Sequence, residues 1–133
     1  MDKVKVSDKL LLSVEKPARY TGGELNSIVK ETARLRFALC FPDVYEIGMS
    51  HLGSRILYEV INSREEYACE RCFAPWPDME KAMRENNVPM FTLETRTPLA
   101  ECDIVGFSLL YEMCYTNILT MLDLAHIHQR SAD

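Results

Sequence analysis

Residues 36–62, RFALCFPDVYEIGMSHLGSRILYEVIN, constrain the fold more than any other part of the chain. Residues 37–41 form a short apolar run stopped by Pro42-Asp43, the pattern of a strand buried on both faces of a parallel sheet. A glycine-bounded loop centred on His51 follows. It leads at once into a helix over residues 51–62 with Ser50 as its cap, where Leu52, Ile56 and Val60 recur every fourth residue and Leu57 and Ile61 widen the core-facing side. When such a unit opens an α/β domain, its loop lies at the carboxyl end of the first strand, where open α/β sheets hold ligands. Residues 45–54 are therefore the place to look for function.

Upstream, Ser7 caps a short helix over residues 7–14, residues 16–23 read as a loop, and residues 24–33 as a short helix or an irregular crossing. Downstream, residues 68–73 read as a second strand. Pro75-Trp76-Pro77-Asp78 then supplies a turn and a cap for a helix reaching Asn87, with Trp76 plugging the turn. Residues 90–93 suit a short third strand, residues 103–109 a further strand, and residues 115–127 a last helix. This alternation predicts an α/β, Rossmann-like or flavodoxin-like three-layer fold with a parallel sheet, incomplete at its carboxyl end. Residues 1–34 form an amino-terminal helix-and-loop extension, and residues 35–133 the partial α/β domain.

A chain of 133 residues, 47% hydrophobic and 26% charged, matches one globular domain. A formal charge of −5 with scattered basic residues gives a phosphate backbone little to bind, so nucleic acid is not expected. No apolar run reaches the roughly 18 residues of a membrane span and no signal sequence opens the chain, which leads to a cytoplasmic expectation. The five cysteines are an odd number, and Cys40, Cys102 and Cys114 lie in apolar segments as small hydrophobes. Cys69 and Cys72 sit three apart in an extended run, so they point to opposite faces and form neither a redox pair nor a zinc site. His126 and His128 read as polar tail. The methionines read as core filler, and Glu24, Glu31, Glu65, Glu66, Glu80 and Glu85 as solvated helix faces.

Four phrases, EKPARYTGGELNSIVK, the 36–62 stretch, CERCFAPWPDMEKAMRENNVPMFTLETRTPL and DIVGFSLLYEMCYTNILTMLDLA, together resemble the amino-terminal region of the cobalamin-binding radical S-adenosylmethionine proteins. The likeness covers residues 10–125. It implies a cobalamin-binding module, with S-adenosylmethionine and a 4Fe-4S cluster confined to a downstream radical domain that is a partner of this one. A cluster of that type needs three thiolates, and no C-x-x-x-C-x-x-C motif occurs here, so the fragment alone is expected to be non-catalytic.

On this resemblance Tyr45, Glu46, Gly48, Ser50, His51, Gly53, Gly106, Ser108 and Tyr111 are the candidate cofactor contacts. Many cobalamin domains carry a D-x-H-x-x-G loop whose histidine binds cobalt and whose aspartate fixes its tautomer. Here Met49 stands in the aspartate's place and Gly53 comes one residue early. His51 is thus either a cobalt ligand, a lining residue of the cofactor's lower face, or a helix-start histidine bonded to a neighbouring carbonyl. Gly48 and Gly53 suit positive φ or the close approach of a planar ligand. Two other functions stay open: an interaction module whose exposed apolar surface is covered by a second copy, and a generic nucleotide-binding domain, which lacks its glycine signature.

Overall fold

The computed structural model of the chain describes residues 2–133. Three strands, β1 (Leu35–Phe41), β2 (Tyr67–Phe73) and β3 (Ile104–Phe107), form one parallel sheet in the order β2-β1-β3. Phe37 lies opposite Cys69 of β2 and Ile104 of β3, which fixes the register of both ladders. The helices are α1 (Asp8–Leu12), α2 (Tyr45–Met49), α3 (Leu52–Asn62), α4 (Pro77–Glu85) and α5 (Tyr115–Leu124). The expected α/β architecture, a partial Rossmann-like or flavodoxin-like sheet, is present.

Strand alternation divides the core in two. Ala38, Cys40 and Cys72 face α4 and α5, whose Met79, Met83, Met121 and Leu124 complete the larger cluster with Val4, Val6, Leu10 and Tyr20. Leu39 and Cys69 face α3 and meet Tyr58. Cys69 and Cys72 thus lie on opposite sides of the sheet, as their spacing requires.

Three expectations are corrected and one open alternative is decided. The loop after β1 is not open but carries the short helix α2. Residues 90–93 form no strand, because only Phe91 bridges, to Pro98, while Leu93 donates its N–H to the Arg71 carbonyl. Of the two readings of residues 24–33, the irregular crossing is the one the structure adopts. The apolar stripe of α3 faces outward: Leu52, Ile56, Leu57 and Val60 are exposed, and the buried residues are Ser54, Tyr58 and Asn62.

The inward polar residues of α3 each have a partner outside the helix, which explains the inversion: Ser54 Oγ lies 3.4 Å from Ser108 Oγ, Tyr58 accepts the Ile28 N–H, and Asn62 holds the backbone of β2. Asn62 donates to the Cys69 carbonyl and accepts from the Cys69 N–H, both at 3.0 Å, so it closes the outer edge of β2 like a missing strand. Glu94 continues that cover by accepting the Arg71 N–H at 2.7 Å. β3, by contrast, pairs only with β1 and leaves its outer edge open.

On the other face, Glu70 is fully buried. It is paired with Arg36 and accepts hydrogen bonds from the hydroxyls of Thr92 and Thr95, which pins residues 92–97 to the sheet.

Candidate functional site

Phe41 ends β1, and the Asp43 side chain accepts the Val44 N–H at 2.7 Å to start the turn into α2. His51, not Ser50, caps α3: its Nδ1 accepts the Ser54 N–H at 3.1 Å and lies 2.8 Å from Ser54 Oγ. An Nδ1 that accepts an amide hydrogen bond leaves the neutral ring's proton on Nε2. The ring leans on Phe41 with centroids 5.1 Å apart. Ser54 Oγ is also 3.4 Å from Ser108 Oγ, which ties the start of α3 to the end of β3.

Beside this junction, on the α3 side of the sheet, a cavity of about 650 Å³ lies between the carboxyl ends of β1 and β2 and residues 24–28. Leu39, Phe41, Phe73, Ile28 and the Tyr58 ring give it apolar walls, and Glu24, Ser27, Ser54 and Arg71 supply polar groups. Such a volume falls in the range of about 300–1,000 Å³ typical of small-molecule sites. A smaller hollow of about 220 Å³, lined by Asp43, Trp76, Glu80 and Asn117, opens on the other side of the same sheet edge.

Arg71 organises the polar wall. It donates to Glu94 at 2.6 Å, to Glu24 at 2.8 Å and to the Met49 thioether at 3.0 Å, and its guanidinium lies 5.3 Å from the centre of the Tyr58 ring. Tyr58 accepts the Ile28 N–H at 2.7 Å, and its hydroxyl is 3.0 Å from Glu94; Tyr45 donates to Glu24 at 2.5 Å. These bonds hold residues 24–28 over the cavity. Burial raises the Glu24 carboxyl, but hydrogen bonds from Arg71 and Tyr45 outweigh it and hold the group below the usual carboxylate range. Burial pushes the Glu94 carboxyl up while Arg71 and Tyr58 pull against it. Burial and the Glu24 carboxylate push the Tyr45 phenol up to about 12.

The structure distributes the nine candidates unevenly. Gly48 lines the cavity, and Tyr45 anchors the covering strap. His51, Gly53 and Ser108 gather at the α3 start without lining it. Glu46 is paired with Arg19, and Ser50 donates to the Glu46 carbonyl. Tyr111 is exposed. Neither Gly48 nor Gly53 has a positive φ. Instead a Cβ at Gly48 would sit 2.1 Å from the Phe73 ring, and one at Gly106 2.7 Å from the Phe37 ring, so both glycines make room for aromatic side chains. Trp76 is partly exposed beneath the Arg19 guanidinium rather than a buried plug.

Sequence reading missed Glu24, Tyr58, Arg71 and Glu94. One available signal was the charged pair Glu70-Arg71 inside an otherwise apolar strand, which demands buried partners. Glu24, expected as a solvated helix face, is a partner of that kind.

A parallel α/β sheet with a ligand-sized cavity at its carboxyl edge defines the class. Residues 53–133 match the family model described as radical SAM proteins, N-terminal, and the chain belongs to that family. The family's catalytic domain works with S-adenosylmethionine and a 4Fe-4S cluster. No curated protein and no solved structure matches the chain significantly. Among the described residues no group of three or more side chains could hold a metal ion, and no helix is long and apolar enough to cross a membrane.

Proposed function

We propose that the chain is the cobalamin-binding module of a radical SAM protein and presents its cofactor to the catalytic domain that follows. The cavity at the carboxyl ends of β1 and β2, in a member of this family, is the observation that carries the reading. A corrin with its nucleotide arm is larger than a drug-sized ligand, so the cavity suits part of it. Ile47, Leu52, Leu109 and Leu110, exposed around the same edge, offer apolar support for a planar ring.

Bound cobalamin would supply methyl-transfer or radical-linked chemistry. This chain's residues would bind and shield: Ser27, Ser54 and Arg71 offer hydrogen bonds to amide groups, and Phe41, Phe73 and Tyr58 exclude water. His51 offers an N–H from Nε2 rather than a lone pair, which favours a lining role over cobalt ligation.

Titrating cobalamin with the chain tests this. A saturable shift of the visible bands is expected, abolished by Ser27→Trp at the cavity mouth and retained in His51→Ala. Unchanged bands in the presence of folded protein would overturn the assignment, and a His51-dependent cobalt spectrum would overturn the lining role.

A further inference from the structure

Residues 24–28, which roof the larger cavity, belong to a stretch that the backbone hardly ties down. Among the described residues, the only backbone-to-backbone hydrogen bond made by residues 22–33 is internal, from the Ser27 N–H to the Glu24 carbonyl at 2.9 Å. None of these residues is buried, and Leu25 is 100% exposed. Side chains hold the stretch in place instead.

Its two ends are held differently. At the far end Lys30 Nζ donates to the carbonyls of Asn62, Arg64 and Tyr67 at 2.8, 2.8 and 2.6 Å, which clamps the chain to the end of α3 and the start of β2. At the near end stand Gly22 and Gly23, with φ of 64° and 80°, a conformation that other residues rarely adopt. A Cβ at Gly22 would lie 2.7 Å from the Leu93 carbonyl oxygen, whereas one at Gly23 would meet nothing within 4 Å. Gly22 is thus packed on the body of the fold and Gly23 is free to turn, as a hinge requires. Between hinge and clamp the ties are the Glu24 carboxylate, held by Arg71 and Tyr45, and the Ile28 N–H, held by the Tyr58 hydroxyl.

We infer that residues 24–29 form a lid, turning at Gly23 and latched through Glu24 by Tyr45 and Arg71, and that a ligand enters and leaves the cavity only when the latch opens. The lid deepens the proposed cofactor site and rests on the cavity holding a ligand. With the roof closed the cavity suits only part of a corrin; lifting it admits the rest. Opening breaks hydrogen bonds but exposes little apolar surface, because Ile28 is the one lid residue packed against a core cluster, so the open state lies close in free energy.

Hydrogen exchange and cobalamin-binding kinetics of the whole chain test the lid. In the free protein the Ser27 and Ile28 amides should exchange at least about a hundredfold faster than residues 37–41 and with little dependence on urea, the sign of local opening. Tyr45→Phe keeps the ring beside Phe73 and removes the latch bond; it should speed the two amides about a further tenfold while residues 104–113 keep their rate. Gly23→Ala, strained at positive φ without a clash, should speed them at least about fivefold. Stopped-flow mixing with cobalamin should show association and dissociation both about tenfold faster in Tyr45→Phe, with the dissociation constant little changed, because a latch that closes over free and occupied cavity alike shifts both rates equally. Ser27 and Ile28 exchanging only in step with residues 37–41, or indifferent to Tyr45→Phe and Gly23→Ala, would overturn the lid. So would a Tyr45→Phe effect confined to dissociation, which would make Tyr45 an ordinary contact. A chain that opens as expected yet binds no cobalamin would strike the cofactor and keep the lid.

Discussion

Glu24 shows how one side chain can hold a cover over a cavity. Its two oxygens take separate donors, Arg71 from the sheet and Tyr45 from α2, so the strap it belongs to is tied to both walls. Because the folded-state pKa is depressed, the stabilisation is complete above the ordinary carboxylate value near 4.5 and is lost as pH falls through the lower folded value. Glu94, raised by burial, contributes with the opposite sign, so the comparison must isolate Glu24. Glu24→Gln should lower stability by about 1–3 kcal/mol at neutral pH, the cost of weakening charge-assisted bonds, and the gap to the wild type should close below pH 4. Urea denaturation of both proteins from pH 3 to 8 checks this; a gap independent of pH would mean that the carboxylate's charge is irrelevant. Nothing local in ELNSIVK announces the role, since the donors lie 47 and 21 residues away.

The elements differ in how much of them a local window reveals. β1 and α3 were legible in place and type because an apolar run stopped by proline and a four-residue periodicity leave few alternatives. The orientation of α3 was not, because periodicity identifies an apolar face without saying whether the sheet or another surface covers it. What turned the helix is the polar set Ser54, Tyr58 and Asn62, each matched to a group outside the helix. The same limit applies to residues 90–93, whose apolar pattern suits a strand but whose neighbours are held by Thr92 and Glu94 side chains instead of a ladder. Asn62 gives the measurable consequence. Asn62→Ala removes two hydrogen bonds and leaves the Cys69 N–H and carbonyl buried without partners, which should cost about 2–4 kcal/mol. It should also bare the edge of β2, so thermal unfolding is expected to fall by several degrees with increased aggregation. A melting temperature within one degree of the wild type would remove Asn62 from the role of edge cover.

Across the whole molecule the two sheet edges are unequal, and that asymmetry sets where the fold should yield first. β1 is flanked on both sides, β2 is flanked by β1 and sealed by Asn62 and Glu94, and β3 is four residues long with one neighbour. Local opening draws on regions with few buried contacts and exposed backbone groups, and the segment from Ile104 through Met113 carries both signs, with Ile104, Leu109, Leu110, Tyr111 and Met113 all exposed. Native-state hydrogen exchange should therefore show residues 37–41 and 68–73 exchanging only through global unfolding, and residues 104–113 exchanging at least about a hundredfold faster through local opening. Cobalamin gives the measurement a second axis. If the cofactor occupies the cavity over β1 and β2, its addition should slow exchange in residues 24–28 and at the start of α3 while leaving α4 and the far side of the sheet unchanged. Protection confined to residues 104–113 would instead move the cofactor to the β3 edge, and with it the site away from Arg71 and its partners.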